Sequence, residues 1–423
     1  MYDYHSIICI FVYTFQCVNM HLLRKRDTMF DKKMLDIGYS QSTIRDLYTY
    51  GLKRKQEIGE DEVFDFSIGN PSIPAPNIVN ESLIKILKEE DSVKVHGYTV
   101  SPGDISVRNT IADYLNKTYN TELIGKYIFI TCGAGAALAI TIKALVEQGG
   151  EVIVFAPHFP EYRTYTEAVG GVLVPVQPDK DFLPDFIDFE KKITDKTRIV
   201  IYDSPNNPTG ALYDENTIKK MADILSKKEK EYGHSIYLVS DEPYRELLYA
   251  GEKYPFVTNY YDDSIVCYSF SKCLSLPGER IGYVLVNPKC KDVEDVYAVI
   301  CGASAMLGYI CAPALFQHLI PHVLGYTSNL EEYKKNRDYL YNALKDIGFD
   351  VIYPTGAFYL FMKALEDDAE KFSEAAKQFE LLIVPSDPFD YKGYVRIAYC
   401  VSYQQIVNSI PAFKKLYSYY KNR

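Results

Sequence analysis

An α/β fold with a mostly parallel central sheet, joined to a smaller α+β domain built from both termini, is what this 423-residue sequence predicts. Three observations point there. Between about residues 105 and 290, short apolar runs alternate with longer amphipathic ones, and strands alternating with helices build a parallel sheet. The two ends of the chain instead mix helix and strand without that alternation. The length also exceeds the roughly 250 to 300 residues that one core usually serves.

In chain order, residues 35–60 read as an amphipathic helix and 63–67 as a short strand. Strands follow at 127–131, 152–156, 198–202, 235–240, 265–268 and 283–286. Between them lie helix-like stretches at 136–147, 162–169 and 214–232, the last with Ile218, Met221, Ile224 and Leu225 on one face. From 305 onward the chain is helix-rich, with strand-like runs at 358–362 and 394–398. The expected division is a large domain over 73–310 and a small one from 35–72 with 311–423.

Residues 1–34 stand apart as an N-terminal extension. An apolar stretch from Ile7 to Val18 precedes the basic Arg24, Lys25 and Arg26. A signal peptide wants positive charge before its apolar part and small residues at its exit, and here Asp3 leads and no A-x-A follows. A membrane span is interrupted by Gln16, Asn19 and His21. The favoured reading is a dispensable, disordered or non-native extension, with translation starting at Met29 or Met34, and a membrane anchor is the alternative.

The net charge of −10 and the lack of any long lysine and arginine run argue against nucleic acid or an anionic membrane as main partner. Nine cysteines without a C-x-x-C pair fit buried thiols in a reducing compartment, hence a cytoplasmic location. Seven dispersed histidines, with no H-E-x-x-H, give no reason to expect a metal.

Ligands of open α/β sheets bind beyond the carboxyl ends of the strands, so the residues that follow each strand matter most. The first run leads into Cys132-Gly-Ala-Gly-Ala-Ala-Leu138 and a helix, a place where backbone N–H groups and the helix dipole suit a phosphate. As a dinucleotide fingerprint it fails, because Leu138 stands where a third glycine belongs. Phe159 follows the second strand, an aromatic ring suited either to the core or to stacking on a flat ligand. The third leads into Asp203-Ser-Pro-Asn-Asn-Pro-Thr-Gly210, a turn-forming run with two side-chain amides. Asp241 follows the fourth strand, and a carboxylate there needs a cation or strong donor. The fifth leads into Ser269-Phe-Ser-Lys272 and on to Arg280.

A phosphate cradle, a stacking ring, an amide, an acid and a lysine in one crevice match one cofactor, pyridoxal 5′-phosphate. The lysine forms its Schiff base, and the acid keeps the pyridine nitrogen protonated.

The combination Asn206-Asn-Pro-Thr-Gly210, Asp241-x-x-Tyr244 and Ser269-x-Ser-Lys272 with Arg280 resembles the class I and II aminotransferases, the fold-type I pyridoxal phosphate enzymes, over about residues 40 to 420. That resemblance implies roles. Lys272 bonds the cofactor and shuttles the α-proton, Asp241 pairs with the pyridinium, Tyr244 and Asn207 reach the ring hydroxyl, and Phe159 covers a ring face. Ser269, Ser271, Arg280 and the amides of Ala134 and Gly135 hold the phosphate. Gly69, in Ser67-Ile-Gly-Asn-Pro71, contacts the substrate carboxylate with Asn207, and Arg396, in Val395-Arg-Ile-Ala398, forks onto it. Tyr98 reaches the phosphate of a neighbouring subunit, which implies a homodimer with shared active sites. In that run Arg108 is displaced by one or two positions from the family pattern.

The implied reaction is a ping-pong transfer between an L-amino acid and a 2-oxo acid such as 2-oxoglutarate. Aspartate enzymes of one subgroup use an arginine some 25 residues after the phosphate arginine, but none stands between Arg280 and Arg337. Another subgroup sets a lysine after the cradle glycines, where Gly135 stands. The residues alone also admit a C–S β-lyase, which would use the same Lys272 and Asp241. A non-catalytic ligand-sensing regulator is the other rival, and it would want a DNA-binding module that the first 35 residues do not resemble.

Overall fold

The computed structural model describes residues 30–39 and 43–422. Most of the extension read over 1–34 therefore lies outside the described residues. The chain divides into two compact units at Asp46/Leu47. The first holds helix Lys32–Tyr39 and the start of helix Thr43–Ile58.

The second unit is organised around a seven-stranded sheet. Its strands are β2 (Ile128–Thr131), β3 (Glu151–Phe155), β4 (Val172–Val176), β5 (Thr197–Asp203), β6 (Tyr237–Asp241), β7 (Ser264–Ser269) and β8 (Gly282–Val286), in the order β2-β8-β7-β6-β5-β3-β4. Pairing is parallel throughout except at β8, which runs antiparallel to both β2 and β7. Every residue of β7 and β8 is buried, as expected of central strands covered on both faces.

Alternation along the strands feeds two cores. Val152, Val154, Ile199, Ile201, Val239 and Ile265 face one way, with helices Ala134–Leu145 and Val293–Met306. Ile153, Val200, Leu238 and Val266 face the other, with helix Glu215–Tyr232.

Beyond the sheet, β1 (Phe64–Asp65) pairs in parallel with β11 (Leu381–Leu382). The strands β9 (Val351–Ile352), β10 (Tyr359–Lys363), β12 (Val384–Pro385) and β13 (Tyr394–Ala398) form a four-stranded antiparallel sheet. Residues from both ends of the chain thus meet away from the large sheet.

All six predicted sheet strands are present, shifted by one or two residues. β4 is the unpredicted one. Pro175 interrupts its apolar run, and the strand tolerates a residue without an N–H because it lies at the sheet edge. The predicted helix at 136–147 begins two residues earlier, at Ala134. Among the described residues no helix is long and apolar enough to cross a membrane.

One close approach fixes how the sheet meets the first loop. Gly282, at the start of β8, has no room for a side chain: a Cβ there would overlap the Tyr268 carbonyl oxygen and lie 3.0 Å from Gly133 Cα. Both neighbours are backbone and cannot swing aside. Gly282→Ala should therefore lower the stability of the cofactor-free protein by about 1–3 kcal/mol, read from the urea midpoint. An unchanged midpoint would mean that β8 and the Gly133 turn are not packed this closely.

Candidate active site

The predicted site residues gather at the carboxyl ends of the strands. Helix Ala134–Leu145 starts directly after β2, from Gly133 at φ 82°. That left-handed geometry favours glycine. No side chain caps this helix end, so the N–H groups of its first turn, including Ala134 and Gly135, are open to an anion. A Cβ on Gly133 would come within 2.9 Å of the Arg280 guanidinium, which fixes how near that cation stands to the loop. Arg280 is itself held at φ 51°, a strained backbone for a side-chain-bearing residue, and donates to the Pro277 carbonyl at 3.0 Å. Ser269 ends β7, and its hydroxyl donates to that of Ser271 at 2.7 Å. Both serines are buried.

Asp241 is the last residue of β6 and buried. Its Oδ2 accepts the Tyr162 hydroxyl at 2.7 Å, whereas Oδ1 is buried without a partner. Burial raises its pKa to about 7, against the Tyr162 hydrogen bond, which lowers it. Phe159, half-buried before helix Glu161–Ala168, meets the Tyr162 ring edge-on at 5.6 Å.

Lys272 keeps some exposed surface, but its amine sits inside the protein and donates to the Gly69 carbonyl at 2.6 Å. Its pKa is lowered from 10.5 to about 8, chiefly by burial, with Arg280 and Arg396 adding to the fall and Cys400 opposing it. Two residues from Gly69, the Ser67 carbonyl accepts from Arg396 Nη2. Arg396, on β13, also donates from Nη1 to Asn207 Oδ1 at 3.0 Å and lies over the Tyr359 ring at 4.7 Å. Its Nε is buried and unpartnered. Gly69 is pressed against Tyr359, whose hydroxyl a Cβ would overlap. The Tyr244 and Tyr359 hydroxyls are 2.8 Å apart, both buried.

One predicted residue lies apart. Tyr98 is 96% exposed on the single chain. Arg108, whose register was displaced, is buried and donates from Nε to the Gly103 carbonyl at 3.1 Å and from Nη1 to three carbonyls at 3.3 Å. It braces the loop before β2.

Three residues of the site went unread in the sequence. Tyr162 lay inside a helix-like stretch, and nothing local said that its hydroxyl meets Asp241. Tyr359 comes from a strand more than 110 residues downstream of Tyr244. Asp203 belongs to a run that turn chemistry accounts for, yet it is the buried last residue of β5 and the register partner of Asp241.

The family model for aminotransferase class I and II matches residues 61–412. The chain belongs to the class I and II aminotransferases. A probable aspartate aminotransferase of Methanocaldococcus jannaschii is 30% identical over 373 residues, 85% of this chain and 95% of that protein. The crystal structure of an amino transferase from Eubacterium rectale superposes with a TM-score of 0.91 at 49% identity, covering 93% of this chain and 99% of the other. The aspartate aminotransferase of Thermus thermophilus with maleate, at 24% identity and a TM-score of 0.80, covers 92% of this chain and 100% of its own, and carries the fold alone.

This aminotransferase is a pyridoxal phosphate enzyme of fold type I, acting on an amino acid and a keto acid. The residues present fit the cofactor. The unpartnered Oδ1 of Asp241 suits a protonated ring nitrogen, the uncapped helix start beside Arg280 suits a phosphate, and a buried amine of low pKa suits an aldehyde.

Bonding an aldehyde needs the neutral amine, so the rate at which the aminotransferase stripped of cofactor takes up pyridoxal phosphate should rise with pH. A lowered lysine pKa means the rise ends near pH 8. Stopped-flow absorbance across pH 6.5 to 10.5 reads it. A rate still climbing toward the ordinary lysine value of 10.5 would contradict a buried, low-pKa Lys272.

Proposed function

We propose that this aminotransferase carries amino groups from an L-amino acid to a 2-oxo acid, with 2-oxoglutarate as an acceptor, in two ping-pong half-reactions that use Lys272 as the reacting amine. The observation that carries this reading is the wall formed by residues 67–69. Its carbonyls hold both Lys272 and Arg396, so an amine for the α-proton and a guanidinium for the α-carboxylate stand side by side.

Pyridoxal phosphate, when bound, supplies an aldehyde carbon for an amine and a conjugated ring that takes up the electrons freed when a Cα–H bond breaks. The protein does the rest. Lys272, with its pKa near 8, is a competent base close to neutral pH and moves the α-proton. Asp241 offers its free Oδ1 to the ring nitrogen, with Tyr162 fixing the other oxygen. Tyr244 and Asn207 address the ring hydroxyl and Phe159 one ring face. Ser269, Ser271, Arg280 and the amides of Ala134 and Gly135 hold the phosphate. Arg396 forks onto the substrate carboxylate, exchanging the Ser67 carbonyl for a charged partner. Gly69 and Asn207 complete that end.

Several curated relatives, the Methanocaldococcus jannaschii protein among them, are named for aspartate. Gly135 and the arginine-free stretch between Arg280 and Arg337 offer no dedicated grip on a side-chain carboxylate, so donors beyond aspartate are expected. The exposed Tyr98, flanked by exposed Val93 and Val100, supports a homodimer in which it serves the neighbouring subunit's phosphate. Strands β2 to β8 all fall within 128–286 while β1 pairs with β11, which supports a large domain over 73–310 and a small one from 35–72 and 311–423. The seven free cysteines among the described residues fit a cytoplasmic location.

A panel of amino donors with 2-oxoglutarate should yield glutamate, with parallel double-reciprocal lines. Arg396→Ala should raise KM for the amino acid by about 10- to 100-fold while the cofactor stays bound, as expected for losing hydrogen bonds to a charged group. An unchanged KM would remove Arg396 from the carboxylate site.

A further inference from the structure

Asp203 is a buried carboxyl that none of these roles uses. It ends β5 as Asp241 ends β6, and the two are partners in the parallel register. They point to the same face, because Ile201 and Val239, two residues earlier on each strand, belong to one core while Tyr202 belongs to the other. Each carboxyl has one oxygen engaged. Asp203 Oδ2 accepts the Asn207 N–H and Asp241 Oδ2 the Tyr162 O–H, both at 2.7 Å, and each Oδ1 is buried without a partner.

Two carboxyls side by side out of water resist ionising together. The groups that act on Asp203 are Asp241 on β6 and the Asn207 N–H in the turn, and no cation is among them. The tyrosines that feel its charge are Tyr162, Tyr213, Tyr244 and Tyr359. Burial and Asp241 both push the Asp203 pKa well up. Of the pair, Asp241 is the one that a protonated ring nitrogen would neutralise.

We propose that Asp203 is a positioning residue of the cofactor site: it anchors Asn207 and, as the neutral partner of Asp241, leaves Asp241 to carry the pair's single negative charge toward the ring nitrogen. This rests on the assignment of Asp241 to that nitrogen. Because Asn207 Oδ1 accepts from Arg396, Asp203 also stands at the root of a chain that ends on the Arg396 guanidinium.

The test uses the cofactor-loaded enzyme and the variants Asp203→Asn, Asp203→Ala and Asp241→Asn. At neutral pH the infrared spectrum should contain the carbonyl stretch of a protonated carboxylic acid that Asp203→Asn lacks. Asp203→Asn, which keeps a neutral acceptor for the Asn207 N–H, should bind pyridoxal phosphate within about threefold of the parent. Asp203→Ala should bind it about tenfold more weakly. An acid band that survives in Asp203→Asn overturns the proposal, as does a loss of affinity there as large as in Asp241→Asn, which would mean that Asp203 carries charge. Parent-like affinity in Asp241→Asn would instead overturn the ring-nitrogen assignment, and with it the ground for the proposal.

Discussion

Asp241 closes a strand covered on both faces, and one of its oxygens meets nothing. A carboxylate left in that position costs free energy until a positive group arrives. The surrounding architecture answers that need without supplying a cation of its own. Tyr162 takes one oxygen, Asp203 crowds from the neighbouring strand, and the free oxygen is left for a ligand. The site is built around an unsatisfied charge, which a protonated ring nitrogen would suit.

Close packing of backbone then sets the distances. Gly133 and Gly282 approach within a space that admits no side chain, and Arg280 reaches the same loop from a strained left-handed backbone. This corner of the site is thereby fixed by main chain, which cannot relax as a side chain would. At the opposite end the carbonyls of Ser67 and Gly69 hold Arg396 and Lys272. These carbonyls come from a segment near the N-terminus, while Arg396 lies on β13 near the C-terminus. Joining these two segments is therefore what brings Lys272 and Arg396 to one wall.

Much of this was legible in the sequence, and for a physical reason. In a parallel sheet the functional residues follow apolar runs directly, so Asp241, Ser269 and Lys272 announce themselves by being polar where the run stops. What stayed hidden needed register or tertiary contact. Asp203 was explained away by the turn it begins, because only strand pairing sets it beside Asp241. Tyr359 and Tyr244 lie on different sheets or loops and meet only in the folded chain. Strand β4 was lost because Pro175 weakens a strand signal that edge position permits. The displaced Arg108, which had stood as part of a motif, turns out to brace carbonyls of the loop that precedes β2.

The central claim is that the cofactor's aldehyde carbon bonds the amine of Lys272. Borohydride reduction of the loaded enzyme, followed by proteolysis and mass spectrometry, reads that bond directly. The pyridoxyl mass should appear on the peptide containing Lys272 and on no other lysine. Its appearance elsewhere, or its absence from a protein that holds the cofactor, would contradict the account.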